Sequence, residues 1–283
     1  MIRRAALILV GALALALSSD AATQRRLIVT SQDHSLVDAD DCDHFHTRNT
    51  TSLPAQAHAE QQWTLRLEAG AVLKVHTANE GGVSVKGWDR AYGSLTVCKT
   101  AVALTQVQAR STLRDVNVTV KNDDIDATGP DHDQNRTWWV HMILRVPRGV
   151  HLDVTTANGG IAIRNMTGKI LARATNGGIS LGGCTGESYL TTENGGISLD
   201  KVSGNIAAQS QNGPIALKLR DIVVPAIEAN TQSSGAIFCK VKGCEEGGVA
   251  DWTPDRKRMR IGSANPVIRL TTTSADIMIE QVR

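Results

Sequence analysis

Asn158-Gly159-Gly160-Ile161-Ala162-Ile163, Asn176-Gly177-Gly178-Ile179-Ser180-Leu181, Asn194-Gly195-Gly196-Ile197-Ser198-Leu199 and Asn212-Gly213-Pro214-Ile215-Ala216-Leu217 follow one another at a fixed interval of 18 residues. A recurrence of that length marks a supersecondary unit that stacks on copies of itself. With each Asn as position one, position four is Ile161, Ile179, Ile197 and Ile215, and position six is Ile163, Leu181, Leu199 and Leu217. Position nine is Met166, Cys184 or Val202, and a Thr or Ser precedes Gly168, Gly186 and Gly204 at position eleven.

Outward from these stretches, a second arm alternates at period two: Leu152/Val154/Thr156, Ile170/Ala172/Ala174, Ser188/Leu190/Thr192 and Ile206/Ala208/Ser210. Apolar and small residues at that period describe a strand with one buried face. Asp153, Arg164, Lys169, Arg173, Ser180 and Ser198 take intervening positions. Each unit therefore reads as strand, Thr/Ser-Gly corner, strand, Asn-Gly corner. Asn and Gly tolerate positive φ, the conformation expected at these corners. An isolated Asn-Gly predicts an antiparallel hairpin. Equivalence over 18 residues predicts instead an all-β fold in which every copy is one coil of a β-solenoid, with like positions stacked about 4.8 Å apart. Asn158, Asn176, Asn194 and Asn212 would then form an amide ladder along one corner. A thin aliphatic core suits a chain with only two Phe and two Tyr in 283 residues.

Residues 1–21 carry the pattern of a signal peptide: Arg3 and Arg4, an apolar run over 5–17, then Ser19-Asp20-Ala21 as the cleavage site. The apolar run is too short to span a bilayer comfortably, and the cleavage point lacks the Cys of a lipoprotein. The mature protein is expected to be soluble and exported, to the periplasm or beyond the cell. Losing Arg3, Arg4 and Asp20 moves the formal net charge from +2 to +1. That balance supplies no general attraction to nucleic acid or anionic membrane. Five cysteines in an exported chain suggest disulfides with one thiol left over. Cys184 sits at repeat position nine and is expected to be buried. Cys239 with Cys244, and then Cys42 with Cys98, is the leading pairing among several.

Residues 22–62 read as an irregular polar lead-in. Residues 63–150 read as a β-rich region: strands over 63–67, 71–75, 83–85, 94–99, 116–120 and 138–146, a short helix over 105–113, and a polar loop over 123–135. Residues 151–283 hold the solenoid repeats, an excursion over 239–260, and a C-terminal capping coil that keeps the open edge from pairing with another molecule. The combination of Asn79, Gly81-Gly82-Val83, Val85, Gly87-Trp88-Asp89, Val146-Pro147 and the tandem Asn-Gly-Gly-Ile-x-Leu units resembles a large family of exported bacterial β-strand-repeat proteins, often labelled adhesins, without an established activity. The resemblance covers roughly residues 63–283. It implies an extracytoplasmic β-solenoid and transfers no catalytic residue. Pro214, the 239–260 excursion and the His/Asp-rich start depart from the pattern.

Asp41-Cys42-Asp43-His44-Phe45-His46 is the sharpest chemical cluster. His44 and His46 on a strand would face one way, with Asp43 available to complete a zinc or copper shell. For a polysaccharide-cleaving enzyme, Asp153, Glu187, Glu193 and Asp200 with Arg164 and Arg173 are the candidates. Asp200 and Glu193, however, stand where other units carry Arg164/Gly182 and Thr175/Gln211. The basic run Arg256-Lys257-Arg258-Arg260 and one indole of Trp138-Trp139 are candidate contacts to an anionic polymer or a sugar. No calcium nonapeptide, P-loop, zinc-protease or nucleophile-elbow motif occurs. The reading is a non-enzymatic scaffold or adhesin-like binding protein of the cell envelope, monomeric and without a cofactor. Its partner would be an envelope polymer or protein rather than nucleic acid. A polysaccharide-active enzyme and a metal-binding protein are the alternatives.

Overall fold

The computed structural model describes residues 41–42, 53–68, 70–220, 225–245, 248–262 and 267–282. The expected signal peptide lies outside them. Strands β1 (Ala55–Leu65), β2 (Val72–Glu80), β3 (Val83–Trp88) and β4 (Gly93–Ala103) precede the helix α1 (Gln106–Asp115). Next come β5 (Asn117–Lys121), β6 (Asp124–Thr128) and β7 (Arg136–Pro147). The repeats contribute β8 (His151–Asn158), β9 (Ile161–Arg164), β10 (Ile170–Ala174), β11 (Ile179–Gly182), β12 (Ser188–Thr192), β13 (Ile197–Asp200), β14 (Ile206–Ser210) and β15 (Ile215–Leu219). The chain ends through β16 (Ala226–Thr231), β17 (Ile237–Lys240), β18 (Asp251–Trp252), β19 (Arg258–Ile261), β20 (Val267–Thr272) and β21 (Ile277–Gln281).

The fold is all-β, with two large sheets. Sheet A runs β1-β4-β7-β3-β9-β11-β13-β15-β21-β17, and sheet B runs β18-β19-β16-β20-β14-β12-β10-β8-β2-β6-β5. Each 18-residue unit gives one strand to each sheet. Ile161, Ile179, Ile197 and Ile215 are register partners in parallel pairs, as are Leu152, Ile170, Ser188 and Ile206. The inward side chains of both sheets merge into one hydrophobic cluster. Burying each of those four isoleucines contributes roughly 1.5–3 kcal/mol, as does each equally buried residue two positions on, Ile163, Leu181, Leu199 and Leu217.

The glycines of the Asn-Gly corners have a different reason from the one expected. None of Asn158, Asn176, Asn194, Asn212 or the glycines after them has positive φ; left-handed backbone occurs instead at Gly186 and Gly204 of the Thr/Ser-Gly corners. At the Asn-Gly corners the stacked backbones touch. A Cβ on Gly177, Gly195 or Gly213 would collide with the carbonyl oxygen of Gly159, Gly177 or Gly195, one unit earlier. Glycine is required there by close approach. Along the same edge Asn176, Asn194 and Asn212 each donate from Nδ2 to Oδ1 of the preceding Asn, at 2.7, 2.8 and 2.9 Å. Just inside, the buried hydroxyls of Thr192 and Ser210 donate to the carbonyls of Gly177 and Gly195 at 2.8 and 2.9 Å. This satisfies acceptors that would otherwise be costly to bury. Pro214 fits because the ladder uses its carbonyl, which accepts from the Ile197 amide at 2.9 Å.

Three local expectations change. β1 begins at Ala55, inside the stretch that reads as lead-in, because its alternation is masked by Gln61 and Gln62. β6 lies in the expected polar loop, where Ile125 and Ala127 are buried between flanking Asp residues. The C-terminal strands do not cap the stack. β20 lies between β14 and β16, and β21 between β15 and β17, so the last unit of the sequence is interleaved before the one that precedes it. The edge is formed instead by β16, β17 and the excursion, whose β18–β19 hairpin pairs antiparallel onto β16. Both arms of the last unit are apolar on one face, Ile268/Leu270 and Ile277/Ile279, and therefore fit between two neighbours as well as at an end. Thr105 caps α1, accepting from the Gln108 amide at 3.3 Å. Disulfides join Cys42 to Cys98 and Cys239 to Cys244. Cys184 is free and buried, and burial pushes its thiol pKa up, as for an inert core thiol.

Candidate binding face

Because alternate residues of a strand point to opposite faces, the repeats that bury Leu152, Ile170, Leu190 and Ala208 turn their neighbours outward on sheet B. Register aligns these into two rows. One runs Asp153, Leu171, Tyr189, Ala207, Arg269, Glu228 and Arg260; the other runs Thr155, Arg173, Thr191, Gln209, Thr271, Asn230 and Arg258. Successive members lie about 4.8 Å apart, so the rows extend over roughly 29 Å. Tyr189, third along the first row, is 42% exposed.

Ion pairs hold the side chains beside that ring. Arg173 Nη1 lies 2.9 Å from Asp153 Oδ1, and Lys169 Nζ lies 3.4 Å from Glu187 Oε2. The same ammonium is 5.2 Å from the centroid of the Tyr189 ring. Arg269 Nε is 3.8 Å from Glu228 Oε2. Such exposed pairs contribute about 0–1 kcal/mol each. Their effect is to orient the face rather than to stabilise the fold. Of the basic run, Arg256 stacks on Trp252 at 4.2 Å and Lys257 Nζ donates to the Gly235 carbonyl. Arg258 and Arg260 remain exposed at the end of the two rows.

The carboxylates considered for polysaccharide cleavage do not converge. Asp153 is bound to Arg173 on sheet B, Glu187 to Lys169 just before the sheet B strands, Glu193 is at an exposed corner, and Asp200 belongs to sheet A. A cavity of about 460 Å³ between β1 and α1 is lined by Gln56, Ala57, His58, Gln106, Arg110, Leu113 and Arg114, without a carboxylate. Asp43, His44 and His46 lie outside the described residues. Among the described residues no group of three His, Cys, Asp or Glu side chains is placed to hold a metal. Among them, too, no helix is long and apolar enough to cross a membrane. Trp138 is fully buried and donates from Nε1 to the Pro130 carbonyl at 2.7 Å; Trp139 is the partly exposed residue of the pair. Tyr189 was visible in the sequence as an aromatic at an outward position of the second arm, but only the register shows that it stands in a row between Leu171 and Ala207.

No family model matches the chain, and no curated protein does. Solved structures similar to it include one described as a putative cell adhesion protein from Clostridium sporogenes, at 10% identity and a TM-score of 0.38, covering 79% of this chain and 100% of that one. Another, described as a putative adhesin from Bacteroides fragilis, has 11% identity and a TM-score of 0.41 over 79% of this chain and 97% of its own.

Proposed function

We propose that the chain is an exported, non-enzymatic binding protein of the cell envelope whose residues 151–283 stack as coils of a β-solenoid, entered through the β-rich region 63–150. In this reading the outer face of sheet B binds an extended partner, a polysaccharide chain above all. The observation that carries it is the pair of straight rows around exposed Tyr189, whose spacing follows the strands and whose polar groups point one way. A phenol ring on a flat polar surface offers an apolar face to a sugar and a hydroxyl to its rim. Disulfides between Cys42 and Cys98 and between Cys239 and Cys244 support an oxidising compartment. A near-neutral net charge favours recognition by shape and stacking over bulk charge.

The experiment is retention of the purified protein on an array of neutral and acidic glycans, compared with Tyr189→Ser and Arg173→Gln. Selective retention that both substitutions weaken, with unchanged melting temperature, supports the assignment. Retention indifferent to both substitutions contradicts it, as does capture by no glycan at all.

A further inference from the structure

The outer face of sheet A is unlike that of sheet B. Ile143, Ser84, Ala162, Ser180 and Ser198 form one row across β7, β3, β9, β11 and β13. They point away from the core, since Val83, Val85, Ile161, Ile163, Ile179, Leu181, Ile197 and Leu199 point into it. The outward Leu171, Tyr189 and Ala207 of sheet B stay partly or largely exposed, yet these are buried, from 2% for Ser84 to 8% for Ser198. No described strand or helix packs substantially over them. The chain itself arrives at this face. Cys42, 2% exposed, is bonded to Cys98 on β4 and packs with Ile143 in a small cluster separate from the core.

Charge says which way the chain runs from there. Arg145, Lys86 and Arg164 are register partners on β7, β3 and β9, a basic row beside the buried one. The residues immediately before Cys42 are Asp38, Ala39, Asp40 and Asp41. Arg145 pairs with Ser94, four residues along β4 from Cys98, and Asp38 is four residues from Cys42. Both separations amount to about 13 Å of extended chain, so the acidic run reaches the basic row. Beyond it the lead-in carries Leu27-Ile28-Val29 and Leu36-Val37, apolar enough to cover a trough of Ala and Ser. Five inter-strand spacings from β4 to β13 are roughly 24 Å, and the stretch 22–40 reaches about 60 Å when extended.

We propose that residues 22–40 dock on the outer face of sheet A, held by the Cys42–Cys98 disulfide and by contact of Asp38, Asp40 and Asp41 with Arg145, Lys86 and Arg164. The chain thereby occupies the β7–β13 part of the outer face of sheet A with its own lead-in. This does not depend on what sheet B binds.

Two readouts on the intact exported chain test it. Zero-length carbodiimide coupling, mapped by mass spectrometry, is expected to join Lys86 to an Asp within 38–41, and Lys86→Gln should abolish the product. Hydroxyl-radical labelling of Ile143 is expected to be low in the intact chain and to rise several-fold in a variant lacking residues 22–40, which retains Cys42 and its disulfide. Absence of the coupled product, or equal protection of Ile143 in both chains, overturns the proposal. Coupling found only between isotopically distinct copies also overturns it and points to a second copy on this face.

Discussion

One repeat builds two outer faces that differ in kind. On sheet A its outward residues are Ala162, Ser180 and Ser198, buried and small; on sheet B they are Leu171, Tyr189 and Ala207, with Tyr189 exposed. The inward residues differ as well: Ile and Leu throughout on sheet A, but smaller residues with buried hydroxyls, such as Thr192 and Ser210, on sheet B. The lesson is that periodicity specifies where the core lies, while the identity of the odd residues between core positions decides whether a face is covered or offered. Small side chains let another layer approach closely; a ring flanked by ion pairs keeps its face open.

The two faces share one support, and breaking it should remove both. Ile179→Asp places a charge in a fully buried row with no partner; it is expected to cost on the order of 5 kcal/mol or more and to abolish the cooperative thermal transition. A melting curve like that of the parent would contradict the register. Next in size is a comparison between glycines of the Asn-Gly corners. Gly195→Ala forces a Cβ into the Gly177 carbonyl and is expected to cost about 2–4 kcal/mol in denaturant unfolding. Gly160→Ala, whose Cβ would lie 3.4 Å from the Gly178 carbonyl oxygen, is expected to cost less than about 1 kcal/mol. Equal effects would show that backbone approach is not what selects glycine.

The covered face also carries a titration. His141 lies beside the Cys98 position, with Nε2 3.0 Å from Ser84 Oγ, and burial pushes its pKa down to about 3. Its folded pKa is below its unfolded value of about 6.5, so the unfolded chain binds the proton first and stability is lost as pH falls below 6.5. Between pH 8 and pH 5 the loss from this group is about 2 kcal/mol. His141→Gln should flatten that part of the stability–pH curve, and an unchanged curve would mean that the imidazole is not shielded. The smallest effect belongs to the open face. Tyr189→Ser should alter stability by no more than about 0.5 kcal/mol, with its consequence confined to binding. A large loss of stability would instead make Tyr189 a packing residue and remove the contrast between the faces.

Much of the architecture was legible because the repeats are local in sequence. The Asn-Gly-Gly-Ile spacing predicted the parallel register of Ile161, Ile179, Ile197 and Ile215, and the alternation predicted which residues turn inward. What was not legible depended on non-local choices. β20 and β21 carry the same pattern as any other unit, so nothing in Ile268, Leu270, Ile277 or Ile279 says that they insert between earlier strands rather than follow β17. β6 was hidden because two buried residues among several Asp give too short a pattern. The positive-φ argument held at Gly186 and Gly204 of the Thr/Ser-Gly corners and failed at the Asn-Gly corners, where close stacking of backbones, rather than a left-handed turn, requires the glycine. For the candidate site, Arg173 and Arg258 were named from the sequence and Tyr189 was not, and the assembly of all three into rows is a property of pairing alone.

The in-register stacking on which both faces depend is open to one direct measurement: methyl–methyl nuclear Overhauser effects in a sample labelled at Ile and Leu methyl groups. The account predicts a ladder of contacts from Ile161 to Ile179, Ile179 to Ile197 and Ile197 to Ile215, with the same ladder from Ile163 through Leu181, Leu199 and Leu217. Contacts that instead link these residues to the second arm of their own unit in antiparallel order, with none at the 18-residue offset, would contradict it.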